Sequence, residues 1–180
     1  MLMQIGQEPE HDFSEPIGLL EDCHKRILHF MQTLVTLAES VGVAPLNDDD
    51  RDSLERSLRY FREAAPRHNA DEEESLFPKL RAHSDAEAIF TRVASLVSDH
   101  RWAETQHFEV DAIGRRWLSA GVLRANDYAR LRTLVQSLWR FYAHHIEIEE
   151  KDVFPTARRI LSATEREILG REMAERRGIM

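Results

Sequence analysis

Two stretches decide how this chain folds: HNADEEESLFP at 68–78 and HIEIEEKDVFP at 145–155. Both read H-x3-E-E-x2-[LV]-F-P. Within each copy the histidine and the first glutamate stand four residues apart, which on a helix puts them on one face, one turn from each other. They can then reach a common ion. The repeat extends upstream, because His24 precedes His68 by 44 residues and His100 precedes His145 by 45. Two helix pairs, each a His followed by His-x3-Glu, are related by a period of 76 to 77 residues.

Outward from these motifs, apolar residues recur at steps of three and four, and strand-like alternation is nowhere sustained. With only seven Gly and six Pro in 180 residues, the pattern predicts an all-α chain. The first helix is expected over 15–40, with Ile17, Leu20, His24, Ile27, Met31, Leu34 and Ala38 on its seam and Ser14 as its cap. The second carries Leu54, Leu58, Phe61, Ala65, His68 and Glu72; Pro66 should kink it and Pro78 should end it. The third opens at Ser84 with Glu87 completing a capping box, and its seam runs from Ile89 through Val93, Leu96, His100, Ala103, His107 and Val110 to Trp117. The fourth follows Asn126 and carries Leu131, Leu134, Leu138, Phe141, His145, Ile148 and Asp152, with Pro155 near its end, where the helix can continue past a kink. A short fifth helix starts near Thr164 with Glu167 as its box partner and leads into a basic, frayed tail. Short connections between four long helices make an antiparallel four-helix bundle the natural packing, in one domain over 1–180 with its core at about 15–160.

Composition removes several classes of function. Lys and Arg total 24 against 32 Asp and Glu, a formal charge of −8, and no stretch gathers basic residues with aromatics as a nucleic-acid face would. No segment approaches the roughly twenty apolar residues that span a bilayer. A single cysteine, Cys23, excludes an internal disulfide, and the opening MLMQIGQEPEHDF has neither the basic nor the apolar part of a secretory leader. A cytoplasmic location is expected, without a membrane or nucleic-acid partner.

What needs explaining is polar chemistry on apolar seams. Each long helix carries a histidine where the pattern calls for Leu or Ile, and two carry a glutamate one turn on. Every buried polar group without a partner costs about 1–3 kcal/mol, so this set predicts a shared metal. Four imidazoles and two carboxylates suit iron, manganese or zinc rather than calcium or magnesium, which prefer oxygen ligands throughout. Six ligands could saturate one octahedral ion. Two ions fit better, because a carboxylate can bridge them and two histidines per ion leave positions open for a small ligand. Two divalent ions against two carboxylates also leave net positive charge, which favours a bound anion.

The pattern His, then His-x3-Glu-Glu-x2-[LV]-F-P, twice over, resembles the hemerythrin-like HHE cation-binding family, over about 19–159. The resemblance implies a four-helix bundle with two iron ions bridged by Glu72, Glu149 and a solvent-derived oxygen, and with His24, His68, His100 and His145 as terminal ligands. The departures from the oxygen carriers of the family are equally specific. They have a fifth histidine one turn after the one on the third helix, where this chain has Glu104, and their last carboxylate is an Asp five residues after its histidine. The pattern is closer to bacterial di-iron proteins that repair damaged iron centres and to an iron-sensing domain of a eukaryotic F-box protein, although the cysteine-bearing N-terminal domain of many repair proteins is absent. The function implied is a non-haem di-iron protein that binds or reacts with dioxygen, nitric oxide or peroxide in stress response or iron handling. The alternative is a sensor whose metal loading is read by a partner protein. Manganese or zinc could stand in for iron.

Several neighbours carry two readings each. Glu104 is either an extra ligand in place of the missing histidine or a solvent-facing carboxylate. His107, two turns past His100, is read as a core residue or a support to a ligand. His144 competes with His145, and the repeat register favours His145. Tyr142 either donates a hydrogen bond near the metals or packs in the core, Cys23 reads as a small buried residue, and Trp102, Trp117 and Trp139 as packing. The acidic runs at 48–50 and 71–74 read, outside the ligands, as solvated helix starts.

Overall fold

The structure is a computed structural model that describes residues 10–42 and 44–179; the first nine residues, part of the opening read for a leader, lie outside them. The described residues form helices and no strand. Helix α1 spans Pro16–Ser40 and α2 spans Asp48–Glu63. The chain continues through α3 at Ala65–Ala70, a π-helical turn at Asp71–Leu76 and α4 at Phe77–Arg81. A 3₁₀ segment at Ser84–Ile89 enters the long α5, Phe90–Ala120. Helix α6, Ala125–Ile148, runs through a second π turn at Glu149–Val153 into α7 at Phe154–Ile160, and α8 at Ala163–Glu175 follows. These are the four long helical stretches and short C-terminal helix of the expected bundle. No described helix is long and apolar enough to cross a membrane.

The ends differ from the sequence reading in instructive ways. Pro78 does not end its helix, and the helix continues past Pro155 as its sequence allows: each proline sits in the first turn of a following α-helix, where its missing N–H costs nothing. The break near Pro66 falls at Ala64, between α2 and α3. Ser14 does not cap α1 but gives its amide to Asp12 Oδ1 at 2.7 Å. Ser84 opens a 3₁₀ turn whose cap position, His83, makes no side-chain capping bond. The C-terminal capping box forms between Ser162 and Glu165, not from Thr164 to Glu167. The run at 48–50 behaves as expected: Asn47 caps α2, and Asp48, Asp49 and Asp50 occupy its first turn, where the helix dipole favours negative charge.

The chain forms two compact units. One comprises 1–26, 66–99 and 145–180; the other comprises 27–65 and 100–144. In the first, Leu20, Leu76, Phe77, Leu96, Phe154 and Met173 are fully buried in one apolar cluster, so α8 contributes to the core rather than fraying from it. Gly170 explains how α8 approaches so closely: a Cβ there would stand 1.9 Å from the Phe13 carbonyl oxygen. In the second unit, Leu54, Leu58, Ile113, Trp117, Leu131 and Leu134 are buried. Gly114 lets α5 meet α2 there, since an added Cβ would lie 2.6 Å from Leu58. Gly121, at φ 76°, stops α5 with its amide on the Trp117 carbonyl at 2.8 Å.

Candidate metal centre

The two repeat copies fold into the same backbone device. In each, the first glutamate of the motif lies at the start of a π turn, second in Asp71–Leu76 and first in Glu149–Val153, and its carbonyl accepts the amide of the phenylalanine five residues on: Glu72 from Phe77, and Glu149 from Phe154. The reason lies in the Phe-Pro that closes the motif. A proline has no N–H for the carbonyl four residues back and its ring collides with that carbonyl, so a turn widened by one residue removes the conflict. The motif thus specifies a local helical irregularity, and both glutamates sit on it. His68 on α3 and His145 on α6 come one turn earlier; His24 lies on α1 and His100 on α5.

All six seam residues are buried. Glu72 and Glu149 are 0 % exposed, His24 1 %, His68 and His145 3 %, and His100 5 %. In the first unit the imidazoles turn Nε2 onto the two carboxylates. His24 Nε2 stands 3.1 Å from Glu149 Oε2 and 4.0 Å from Glu72 Oε1. His68 Nε2 is 3.4 Å from Glu72 Oε1, and His145 Nε2 is 3.2 Å from Glu149 Oε1. One ligand atom from each of His24, His68, Glu72 and Glu149 lies within 4.8 Å of the others; Glu72, His145 and Glu149 also offer atoms within that distance of one another. The rings of His24 and His68 meet edge to face at 5.0 Å, and Phe154 stacks on His24 at 5.2 Å. His100 follows Asp99 directly on α5, and Asp99 Oδ2 stands 3.5 Å from His145 Nδ1.

Burying so many titratable groups together moves their protons. Burial alone would push His24 down, but hydrogen bonds to Glu149 and Glu150 and the charges of Glu149 and Glu72 outweigh it and raise its pKa to about 10. Glu72 is held well above the usual carboxylate range by burial and by the charge of Glu149. Burial pushes Glu149 the same way, yet His145 and His24 overcome it and hold Glu149 well below that range. Two carboxyls at one site are therefore pushed in opposite directions, Glu72 toward its protonated form and Glu149 toward its ionised form. A cation entering here would take over the role that the protons play.

The residues fit a metal on the chemistry of their donors. Nitrogen and carboxylate oxygen suit first-row transition ions. One imidazole also carries the support that metal-binding histidines use, a carboxylate hydrogen-bonded to the far ring nitrogen that fixes the ring's orientation and raises its basicity, and a second has a carboxylate close to that nitrogen. His24 Nδ1 meets Glu150 Oε1 at 3.0 Å, and His145 Nδ1 meets Asp99.

These supporting residues escaped the sequence reading, although the second glutamate of each Glu-Glu pair pointed to Glu150. The reading of 71–74 as solvated needs correction. Asp71 is 0 % exposed and is gripped by Arg176 and Arg177, residues of the tail expected to fray. Among the neighbours, His144 is exposed beside buried His145, in keeping with the repeat register. Glu104 is exposed, whereas the six seam residues are buried. Tyr142 bonds His107, with 2.9 Å between hydroxyl and Nε2; Phe61 stacks on that ring at 4.1 Å, and burial pushes its pKa down to about 3. Burial likewise pushes the Cys23 thiol up, away from reactive thiolate. Trp117 is buried and Trp139 partly so, whereas Trp102 is 40 % exposed and leans on Phe141 at 4.8 Å.

An uncharacterized protein of Haemophilus influenzae is 27 % identical to this chain over 179 residues, which cover 98 % of this chain and 99 % of that one. Residues 15–157, from the start of α1 into α7, match the model of the hemerythrin HHE cation-binding domain. With its buried histidines and with Glu72 and Glu149 on paired π turns, the chain belongs to the hemerythrin HHE cation-binding family.

Proposed function

We propose that the chain is a non-haem di-iron protein. Two iron ions bind to His24, His68, Glu72, His100, His145 and Glu149, and the centre binds or reacts with dioxygen, nitric oxide or peroxide in stress response or iron handling. The observation that carries this reading is the placement of Glu149, whose Oε1 faces His145 at 3.2 Å while Oε2 faces His24 at 3.1 Å. A carboxylate with a different imidazole on each oxygen is arranged to bridge two ions rather than to chelate one. His100 completes the set by repeat register, as the counterpart of His24, and by its burial.

Iron in this ligand set supplies redox chemistry with small oxidants. The protein's own part is to select and to hold. Ligand side chains at 0–5 % exposure admit only a small molecule and keep bulk water away from the centre. Glu150 fixes the tautomer and orientation of His24 by hydrogen bonding its Nδ1, and Asp99 places a carboxylate 3.5 Å from the Nδ1 of His145. Loss of protons from His24 and Glu72 would offset two of the four positive charges that a ferrous pair brings, and the remainder would favour a bound anion.

Elemental analysis of protein purified without chelators tests the proposal. Two irons per chain, together with the near-ultraviolet charge-transfer absorption of a coupled ferric pair after exposure to air, are the expected result. One iron or none, with zinc or manganese failing to load to two per chain, overturns it. Peroxide consumption by the loaded protein then separates a reactive centre from one that only reports its loading.

A further inference from the structure

Helix α8 and the residues after it lie beyond both repeat copies and beyond the family match, which ends at residue 157. The end of this segment nevertheless reaches the first π turn. The Asp71 carboxylate is fully buried and accepts from two guanidinium groups, one on each side. Arg176 Nη1 donates to Oδ1, and Arg177 donates to Oδ1 at 3.1 Å and to Oδ2 at 2.5 Å. Arg176 also reaches Ser75 Oγ at 3.1 Å and Glu74 Oε2 at 3.3 Å, so it holds three residues of a single π turn. Arg177 is anchored in turn by the Met173 carbonyl at 2.7 Å, and its guanidinium lies over the Phe13 ring at 5.9 Å. The base is firm. Leu169 and Met173 are buried, Gly170 sits against the Phe13 backbone, and Glu172 takes Lys79 at 2.6 Å.

We infer that Arg176 and Arg177 are positioning residues for the metal centre: through the buried carboxylate of Asp71 they lock the Asp71–Leu76 π turn and so hold Glu72 in its ligand position. This rests on Glu72 being a metal ligand. Asp71 precedes Glu72 directly, and the fixed points at 71, 74 and 75 bracket it in the part of the helix whose backbone register is already irregular. The second copy of the repeat shows that the lock is an addition. There the residue before the ligand glutamate is Ile148, which packs in the apolar cluster. The two bridging carboxylates therefore differ in mobility, with Glu72 fixed and Glu149 the one able to shift as a small ligand enters or leaves.

Replacing Asp71 by Ile and both arginines by Ala gives the first copy the pattern of the second and leaves no charge buried without a partner; Asp71→Asn keeps the shape and weakens the grip. Each variant and the parent are loaded with ferrous iron and titrated with a chelator, reading iron per chain and the near-ultraviolet bands of the oxidised pair, alongside the melting temperature of the iron-free protein. His83→Ala serves as the control, because it removes the 2.7 Å contact to Glu165 at the other end of α8. Supporting contacts of this kind change metal retention by about 10–100-fold. The inference expects that loss, with shifted bands, in the triple variant, a smaller loss in Asp71→Asn and none in His83→Ala. Retention equal to the parent overturns it and leaves the proposed function standing. Retention that merely follows the iron-free melting temperature in all variants, His83→Ala included, also overturns it, since α8 would then act only on stability. A parent that takes up no iron removes both proposals.

Discussion

The two copies of the H-x3-E-E-x2-[LV]-F-P repeat share a backbone and differ in what restrains it. Both place a buried glutamate within the first two residues of a π turn and follow the turn with a Phe-Pro. At the first, a buried carboxylate is tied to two arginines from the C-terminal end. At the second, the matching position is Ile148, and the contacts lie at the rim: Asp152 pairs with Arg92 and Glu150 supports His24. The backbone of a site can thus be duplicated while the contacts that restrain it are not. The motif dictates where the carboxylates stand, and residues far along the chain dictate how firmly they stay there.

Removing the carboxylates is the hardest way to break this comparison. Glu72→Ala and Glu149→Ala should each lose both ions, because each takes away a group shared between them and leaves several buried imidazoles facing one another. A single His→Ala change at 24, 68, 100 or 145 should keep one or both ions at reduced affinity. Iron per chain by elemental analysis decides the matter; equal partial losses across all six positions would mean that the glutamates are not shared.

The next effect comes from pH, and His24 is the residue to watch because it faces both glutamates. Its pKa in the iron-free protein is raised from 6.5 to about 10. The stability it contributes is therefore fully present below pH 6.5 and is lost as pH rises through about 10. At about 1.4 kcal/mol per pH unit, a few kcal/mol are involved, or roughly ten degrees of melting temperature for a chain of this size. The iron-loaded protein uses neutral His24 and does not depend on that proton. Differential scanning calorimetry should find the gap between loaded and iron-free melting temperatures widening from pH 7 to pH 10. A constant gap would show that His24 carries no proton in the iron-free state.

Much of this was legible in the sequence, and the parts that were not share a cause. Spacing of three and four residues located the seams correctly: every residue expected inside α1, from Ile17 to Ala38, is buried, because one apolar stripe has only one way to face a core. The candidate ligands stood out as polar exceptions on those stripes, and a repeated exception is hard to produce by chance. Pro78 misled, because a proline's usual effect is to stop a helix, and here a π turn absorbs the conflict instead. Asp71 misled more. An Asp in an acidic run reads as solvated, and only a partner about a hundred residues away, at Arg176 and Arg177, makes its burial affordable. Local pattern reports which face a residue takes; it does not report who meets it there.

A smaller effect sharpens the comparison between the supporting carboxylates. Glu150 holds His24 at 3.0 Å, and His24 in return keeps Glu150 below the usual carboxylate range, while Asp99 approaches His145 at 3.5 Å. The shorter contact should matter more. Glu150→Gln is expected to weaken iron retention about tenfold, at the low end for such supports, and Asp99→Asn by less. A chelator titration of the two variants would reverse the ranking if ring orientation were set by packing, such as Phe154 on His24, rather than by these carboxylate contacts.

The smallest expected effect belongs to Glu104, and it bears on a difference between the copies that the sequence makes prominent. Counting from His24 and His100, Glu104 occupies the register of Leu28, so one copy places a carboxylate one turn past its first histidine and the other a leucine. As a ligand, Glu104 would add negative charge to one iron and close a coordination position. Its exposure argues against that role, because the seam residues from His24 to Glu149 are at most 5 % exposed and Glu104 faces water. A solvated carboxylate acts on a buried centre only through a field weakened by water and by salt, with a screening length of about 8 Å at physiological ionic strength. Glu104→Ala should therefore leave iron per chain and the near-ultraviolet bands unchanged and move the reduction potential by no more than roughly 20 mV, with that small shift fading as salt is added. Loss of an iron, or a large change in potential that persists at high salt, would place Glu104 on the metal after all.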